Sequence, residues 1–332
     1  MSATLSDIAR ETRTSISTVS RVLAGGTAAR RISRATAERV RAAAQRLGYR
    51  PNLVARSLRT RKSDTIALLI SDISNPFFGQ IGNLIERSLH RHGYSLMLCN
   101  SGEDPQREVE YLQLLSQKAI GGLIVVPMAR TRKQLLEFLP QDLPIVVLDR
   151  PVPGINSLVA SDQDQAAGIL CDAMERAGVK TVALVAGPQE VQTHRRRAEV
   201  ISQRMEVVFR HEGPAQPETG RQAYIQCMGI DVDAFACTNN FLALGVIDCI
   251  AALESPPVIG CFDEIPLVDL LPLPIVASLQ DVPMLAESCV TQLLRQLNND
   301  QEKPSPIILQ SRAKSNKAFH EYREQHGKIA AS

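Results

Sequence analysis

Recognition, rather than covalent catalysis, is the chemistry that the most informative residues can do. Within Thr14-Ser15-Ile16-Ser17-Thr18-Val19-Ser20-Arg21-Val22-Leu23, Ile16 and Ser17 stand at the start of a helical pattern and Arg21 one turn further on. That is where a second helix presents side chains to base edges. Catalytic signatures are missing: the chain has no phosphate loop, GxGxxG, HExxH or GxSxG. Carboxylates occur at strand ends, but no nucleophile or base accompanies them at a telling spacing.

Three short helices must position that run. Leu5, Ile8 and Ala9 follow Thr4, a capping hydroxyl, with Asp7 in the acidic first turn. Val19, Val22 and Leu23 follow a second cap, Ser15, and stop at Gly25-Gly26. Ala37, Val40, Ala44 and Leu47 follow Ser33, and Gly48 closes them. None can bury a face alone, so their apolar stripes share one small core. The first two are separated only by Thr12 to Thr14, the spacing of a helix-turn-helix. Charge agrees with this reading. Residues 1–62 hold 14 Lys or Arg against 3 Asp or Glu, leaving 23 against 32 for the rest, so a net +2 hides a basic head on an acidic body. A charge run alone is usually a solvated face; one that coincides with this pattern is a footprint of phosphate binding.

Ser15-Ile16-Ser17-Thr18-Val19-Ser20-Arg21-Val22-Leu23 and Leu47-Gly48-Tyr49-Arg50-Pro51-Asn52-Leu53-Val54-Ala55-Arg56-Ser57-Leu58 resemble the head and hinge of the lactose-repressor family of bacterial transcription regulators. The resemblance implies contacts to operator DNA from Thr4, Ser15, Ile16, Ser17, Thr18, Ser20 and Arg21 in the head. It adds Arg30 and Arg31 in the following loop and Asn52, Ala55, Arg56 and Leu58 in the hinge. In that family the hinge becomes helical on DNA, and a leucine matching Leu58 wedges into the minor groove, opening a base step so that more basic surface reaches phosphate. Ala24 replaces the family's usual Asn. The longer loop from Gly25 to Ile32 resembles the fructose repressor subgroup, also called the catabolite repressor/activator.

Beyond the linker, apolar runs alternate with amphipathic stretches. Thr65–Ile70, Ser95–Cys99, Gly122–Val126 and Ile145–Asp149 read as one set of strands; Thr181–Ala186, Glu206–Phe209, Ala234–Cys237 and Val258–Cys261 read as a second. Ile275–Leu279 is expected to cross between the two lobes, and Pro306–Gln310 to form a last strand before a short polar helix. The expected architecture is an all-α helix-turn-helix head, residues 1–49, a hinge and linker, 50–62, and a two-lobed α/β body of doubly wound parallel sheets, 63–332. The first lobe takes about 63–160 plus 282–310, the second about 161–278 plus 311–332. No run of about 18 apolar residues could span a membrane, and the N-terminus begins a helix rather than a signal peptide. Seven cysteines without short ligand spacings read as buried small hydrophobes of a reducing cytoplasm. His90 and His92 point apart on a helix, so no metal is expected, and no cofactor.

The resemblance further implies a periplasmic-sugar-binding-protein fold with an effector between the lobes, at the carboxyl ends of the strands. Family positions that touch effector match Asp149, Arg197, Asn239, Asp263 and Gln280, with Ser71 and Asp72 at the end of the first strand as further candidates. Asp and Asn suit sugar hydroxyls; Arg suits phosphate. Arg150 beside Asp149, as in the fructose repressor subgroup, adds a second guanidinium, so that Arg150 and Arg197 would grip a phosphate. The family's Arg-x-x-Gly departs here to Arg197-Ala198-Glu199-Val200. These features point to a homodimeric, cytoplasmic regulator that binds pseudo-palindromic double-stranded DNA and a small sugar or sugar phosphate. A leucine heptad tail of the kind that tetramerises the lactose repressor is absent, though a tetramer stays open. A sugar receptor without a regulatory role is the alternative.

Overall fold

In the computed structural model, which describes residues 3–24, 32–49, 63–300 and 302–327, α1 (Leu5–Thr12) starts where Thr4 and Asp7 cap each other. Thr4 Oγ1 accepts from the Asp7 amide at 3.3 Å, and the Asp7 carboxylate accepts from the Thr4 amide at 3.0 Å. Arg13, at φ 51°, ends it. The next helix, α2 (Ile16–Ala24), begins at Ser15, whose Oγ accepts from the Thr18 amide at 3.1 Å. Ser33 caps α3 (Arg34–Arg46) in the same way. Ile8, Val19, Val22, Val40 and Ala43 meet in the shared core. The chain divides into two compact units, Met1–Lys62 and Ser63–Ser332.

The second unit holds two six-stranded sheets. The first is built from β1 (Thr65–Ile70), β2 (Ser95–Asn100), β3 (Gly122–Val125), β4 (Ile145–Leu148), β5 (Leu158–Ser161) and β11 (Ile307–Leu309) in the order β11-β5-β4-β3-β1-β2, all parallel. Its crossover helices are α4 (Pro76–Arg91), α5 (Pro105–Gln117) and α6 (Arg132–Leu136), joined by α11 (Val282–Leu297). Alternate residues of β1 serve opposite cores: Ile66, Leu68 and Ile70 pack with α4 and α11, and Ala67 and Leu69 with Leu112 and Leu115 of α5. A parallel strand covered on both faces must be apolar throughout, which is why these runs read as continuous.

The second sheet contains β6 (Thr181–Ala186), β7 (Glu206–Glu212), β8 (Ala234–Cys237), β9 (Val258–Phe262), β10 (Ile275–Leu279) and β12 (Arg312–Ser315), in the order β12-β10-β9-β8-β6-β7. Only β12 runs antiparallel. Its helices are α7 (Gln163–Arg176), α8 (Gln192–Arg204), α9 (Pro217–Cys227), α10 (Asn240–Ile250) and α12 (Lys317–His326). Six cysteines are buried, Cys249 is half-buried, and all seven are free thiols. Among the described residues no helix is long and apolar enough to cross a membrane.

The chain passes between lobes three times, after β5, after β10 and after β11. Ile275–Leu279, expected to be a crossing, is instead an inner strand paired with β9 and β12; the crossing follows at Gln280-Asp281, where Asp281 caps α11. Two strands escaped the sequence reading. Leu158–Ser161 is only four residues long, and Arg312–Ser315 is a polar edge strand without an apolar run. Gln165 ties two crossings together, donating to the Ser311 carbonyl at 3.0 Å and accepting from its amide at 2.9 Å.

Candidate functional site

The head presents its second helix outward. Val19 and Val22 are buried in the core, so helical geometry turns Ile16, Ser17 and Arg21 to solvent, Ile16 with 51% of its surface exposed. Ser15 Oγ lies 2.8 Å from both Ser17 Oγ and Thr18 Oγ1, a cluster of hydroxyls at the helix N-terminus. No acidic residue stands in that first turn, so its positive helix end is not neutralised, an arrangement suited to phosphate. Thr18 and Ser20 are half-buried. The Thr4 hydroxyl is engaged in its own capping box. Arg30, Arg31, Asn52, Ala55, Arg56 and Leu58 lie outside the described residues.

The body's cleft is built at strand ends. β4 ends at Leu148 and β9 at Phe262; the next residue in each case is an aspartate with φ 67°, Asp149 and Asp263. Glu103, in the turn after β2, has φ 59°. Three non-glycine residues in the left-handed region cost on the order of 1–2 kcal/mol each, and such strain collects at functional sites. All three line one small cavity with Asp72, Arg150, Arg197, Asn239 and Gln280. Its volume is about 40 Å³, enough for a few waters but too little for a sugar ring. Glu103 and Arg150 also line a wider cavity of about 1020 Å³.

Both guanidinium groups are already engaged. Arg150, 6% exposed, donates through Nη1 and Nη2 to the two carboxylate oxygens of Glu103 at 3.0 and 2.6 Å, with Asp149 at 3.9 Å. Burial disfavours the Arg150 charge, but Glu103, Asp149 and Glu108 together outweigh it and hold the group more basic than usual. Arg197 donates to Gln163 Oε1 at 2.7 Å and to the Thr238 carbonyl at 2.9 Å, sits 3.6 Å from Asp263, and covers the Phe262 ring. Both arginines expected to grip a phosphate thus have protein partners in this structure. Gln280 donates to Asp263 at 2.8 Å. Asn239 accepts from the Leu242 amide as the cap of α10 while lining the cavity. Ser71 is fully buried and receives Arg150 at 3.5 Å, behind the cavity wall. Burial pushes the Asp149 carboxyl upward, Arg150 and Arg197 opposing. Burial and the same two cations hold His194 neutral, well below the usual histidine range.

Sequence reasoning missed Glu103, His194, Asn75 and Asn240. Asn75 and Asn240 join the two lobes by an amide-to-amide hydrogen bond of 3.2 Å, and Asn240 is wholly buried. Glu103 lies 47 residues from Arg150, a separation that carries no local signal. Among the described residues that line the cavity, Asp149 Oδ1, Arg150 Nε and Gln280 Oε1 are buried with no hydrogen-bond partner. Such orphans are costly unless a ligand or water satisfies them.

Comparison with known proteins places this geometry. Residues 4–52 match the family model of bacterial regulatory proteins of the lacI family. Residues 63–208 match that of periplasmic binding proteins and the sugar binding domain of the LacI family. The chain belongs to the lacI family. Within the family, it is 36% identical over 188 residues to the ribose operon repressor of Halalkalibacterium halodurans, covering 57% of this chain and 55% of that protein. It is 28% identical over 316 residues to the transcriptional repressor PurR of Haemophilus influenzae, covering 90% and 93%. The first of these alignments thus spans about half of the relative's length. The fold is shared with the lac repressor dimer bound to operator and the anti-inducer ONPF (TM-score 0.82, 21% identity, 96% of this chain and 100% of that one). It is also shared with the Cra regulator of Pseudomonas putida in complex with fructose 1-phosphate (TM-score 0.68, 24% identity, 76% and 98%).

Proposed function

We propose that this chain is a sequence-specific DNA-binding repressor of genes for carbohydrate use, controlled by a small sugar held between the lobes of its body. The observation that carries the reading is the combination of an outward α2 on a basic head with a strained, acid-lined cleft whose buried polar atoms await partners. Its relatives include repressors of ribose and sucrose operons. The protein acts as a cytoplasmic homodimer, because a pseudo-palindromic operator needs two heads. Sugar binding and DNA binding are then linked through lobe closure, a coupling typically worth ~1–3 kcal/mol. In this reading the body senses a ligand and passes its occupancy to the head.

The test is binding of the full-length protein to DNA from upstream of its own gene, with and without candidate sugars, in competition with random DNA. Tight, sequence-preferring binding that a sugar alters supports the reading; no preference over random DNA overturns it.

A further inference from the structure

We infer that Glu103 sets the ligand class of the cleft: by occupying both donor arms of Arg150, it makes the site one for an unphosphorylated, polyhydroxylated ligand. The inference rests on the sugar reading above. Four carboxyl groups line the cavity, those of Asp72, Glu103, Asp149 and Asp263, against two guanidinium groups, those of Arg150 and Arg197. That is a formal excess of two negative charges facing any entering group. Binding a phosphate through a guanidinium uses paired N–H donors in a fork. Arg150 has given that fork to Glu103 at 3.0 and 2.6 Å.

Arg197 offers no substitute fork, since its Nε and Nη1 are committed to Gln163 and the Thr238 carbonyl. A dianion would therefore meet repulsion with a single orphaned donor, Arg150 Nε, to set against it. Hydroxyl groups suit what is left: two orphaned acceptors, Asp149 Oδ1 and Gln280 Oε1, and one orphaned donor, Arg150 Nε. Each hydroxyl can donate to one and accept from another. Glu103 holds its position at φ 59°, and its amide donates to the Ser71 carbonyl at 2.9 Å. The strained residue and its ion pair are thus fixed together behind the first strand.

Calorimetric titration of the full-length protein with D-ribose, D-fructose and sucrose, and with ribose 5-phosphate and fructose 1-phosphate, tests this in the wild type, Glu103→Gln and Glu103→Asp. The expected result is binding of at least one neutral sugar by the wild type and at least ~10-fold weaker binding of its phosphorylated form. Glu103→Gln should shift this ratio toward the phosphate ester by at least ~10-fold, whereas Glu103→Asp, which keeps the charge, should preserve it. Ligand-free melting temperatures establish that each variant is folded. Equal binding of both forms by the wild type, or an unchanged ratio in a folded Glu103→Gln, overturns the role of Glu103 and leaves the sugar reading standing. Binding of no sugar in either series by any form overturns the sugar reading and this inference with it.

Discussion

Asp149 bears two costs at once. Its φ of 67° lies in a region that asparagine and glycine occupy more easily, and its carboxyl is buried where ionisation is disfavoured. Arg150 retains Glu103 as a counter-charge whatever stands at position 149. Asp149→Asn should therefore stabilise the ligand-free protein at pH 7, by roughly 1 kcal/mol, while weakening sugar binding. The pH dependence follows from the direction of the shift. A carboxyl raised in the folded state favours folding below its ordinary range near 3.8 and loses that contribution as pH rises through the folded value. The electrostatic part of the variant's advantage should thus grow toward neutral pH and vanish in acid; thermal melts across pH would show it, and a less stable variant at pH 7 would contradict it. Asp149, Asp263, Asn239 and Arg197 were legible because each belongs to a recognisable stretch of sequence. Glu103 and Asn240 were not, because an ion pair or a bridge between lobes is a property of the fold and leaves no spacing behind.

At the level of elements, the head's three helices could be read from hydroxyl caps and apolar spacing, since both are local. The same logic predicts how α2 behaves when altered. Ile16 is exposed, so Ile16→Ala should leave the melting temperature of the head nearly unchanged while weakening specific DNA binding by about 1–3 kcal/mol. Ser15→Ala should instead lower stability by roughly 1 kcal/mol through loss of the cap. The C-terminal strand β12 was illegible for the opposite reason: Arg-Ala-Lys-Ser has no apolar pattern, and pairing with β10 decides its conformation. Asn316, at the junction of β12 and α12, holds that region through its side chain. Its amide oxygen accepts from the Ile275 and Phe319 backbone, and its Nδ2 donates to the carbonyls of Val268, Leu271 and Leu273. Asn316→Ala would strand buried backbone groups, and we expect a loss of about 2–4 kcal/mol in denaturant unfolding, with the sugar site untouched.

For the whole molecule, charge is divided by function: +11 on residues 1–62 and −9 on the remainder. Raising salt from about 50 to 200 mM should weaken DNA binding by orders of magnitude through counterion release, yet leave affinity for a neutral sugar almost unchanged. Parallel titrations check this, and a sugar affinity that falls as steeply as DNA affinity would argue for a charged ligand.

The Asn75–Asn240 bridge also dictates an order of events. With the two amides joined across the lobes and only about 40 Å³ open where Asp149 and Asp263 meet, a sugar reaching those two carboxylates needs that bond to break and the lobes to part. Ligand association is then gated by a unimolecular opening, so in rapid mixing the observed rate should level off at high sugar concentration instead of rising in proportion to it. Asn240→Ala should raise that plateau, shortening the time the molecule needs to notice a change in its surroundings.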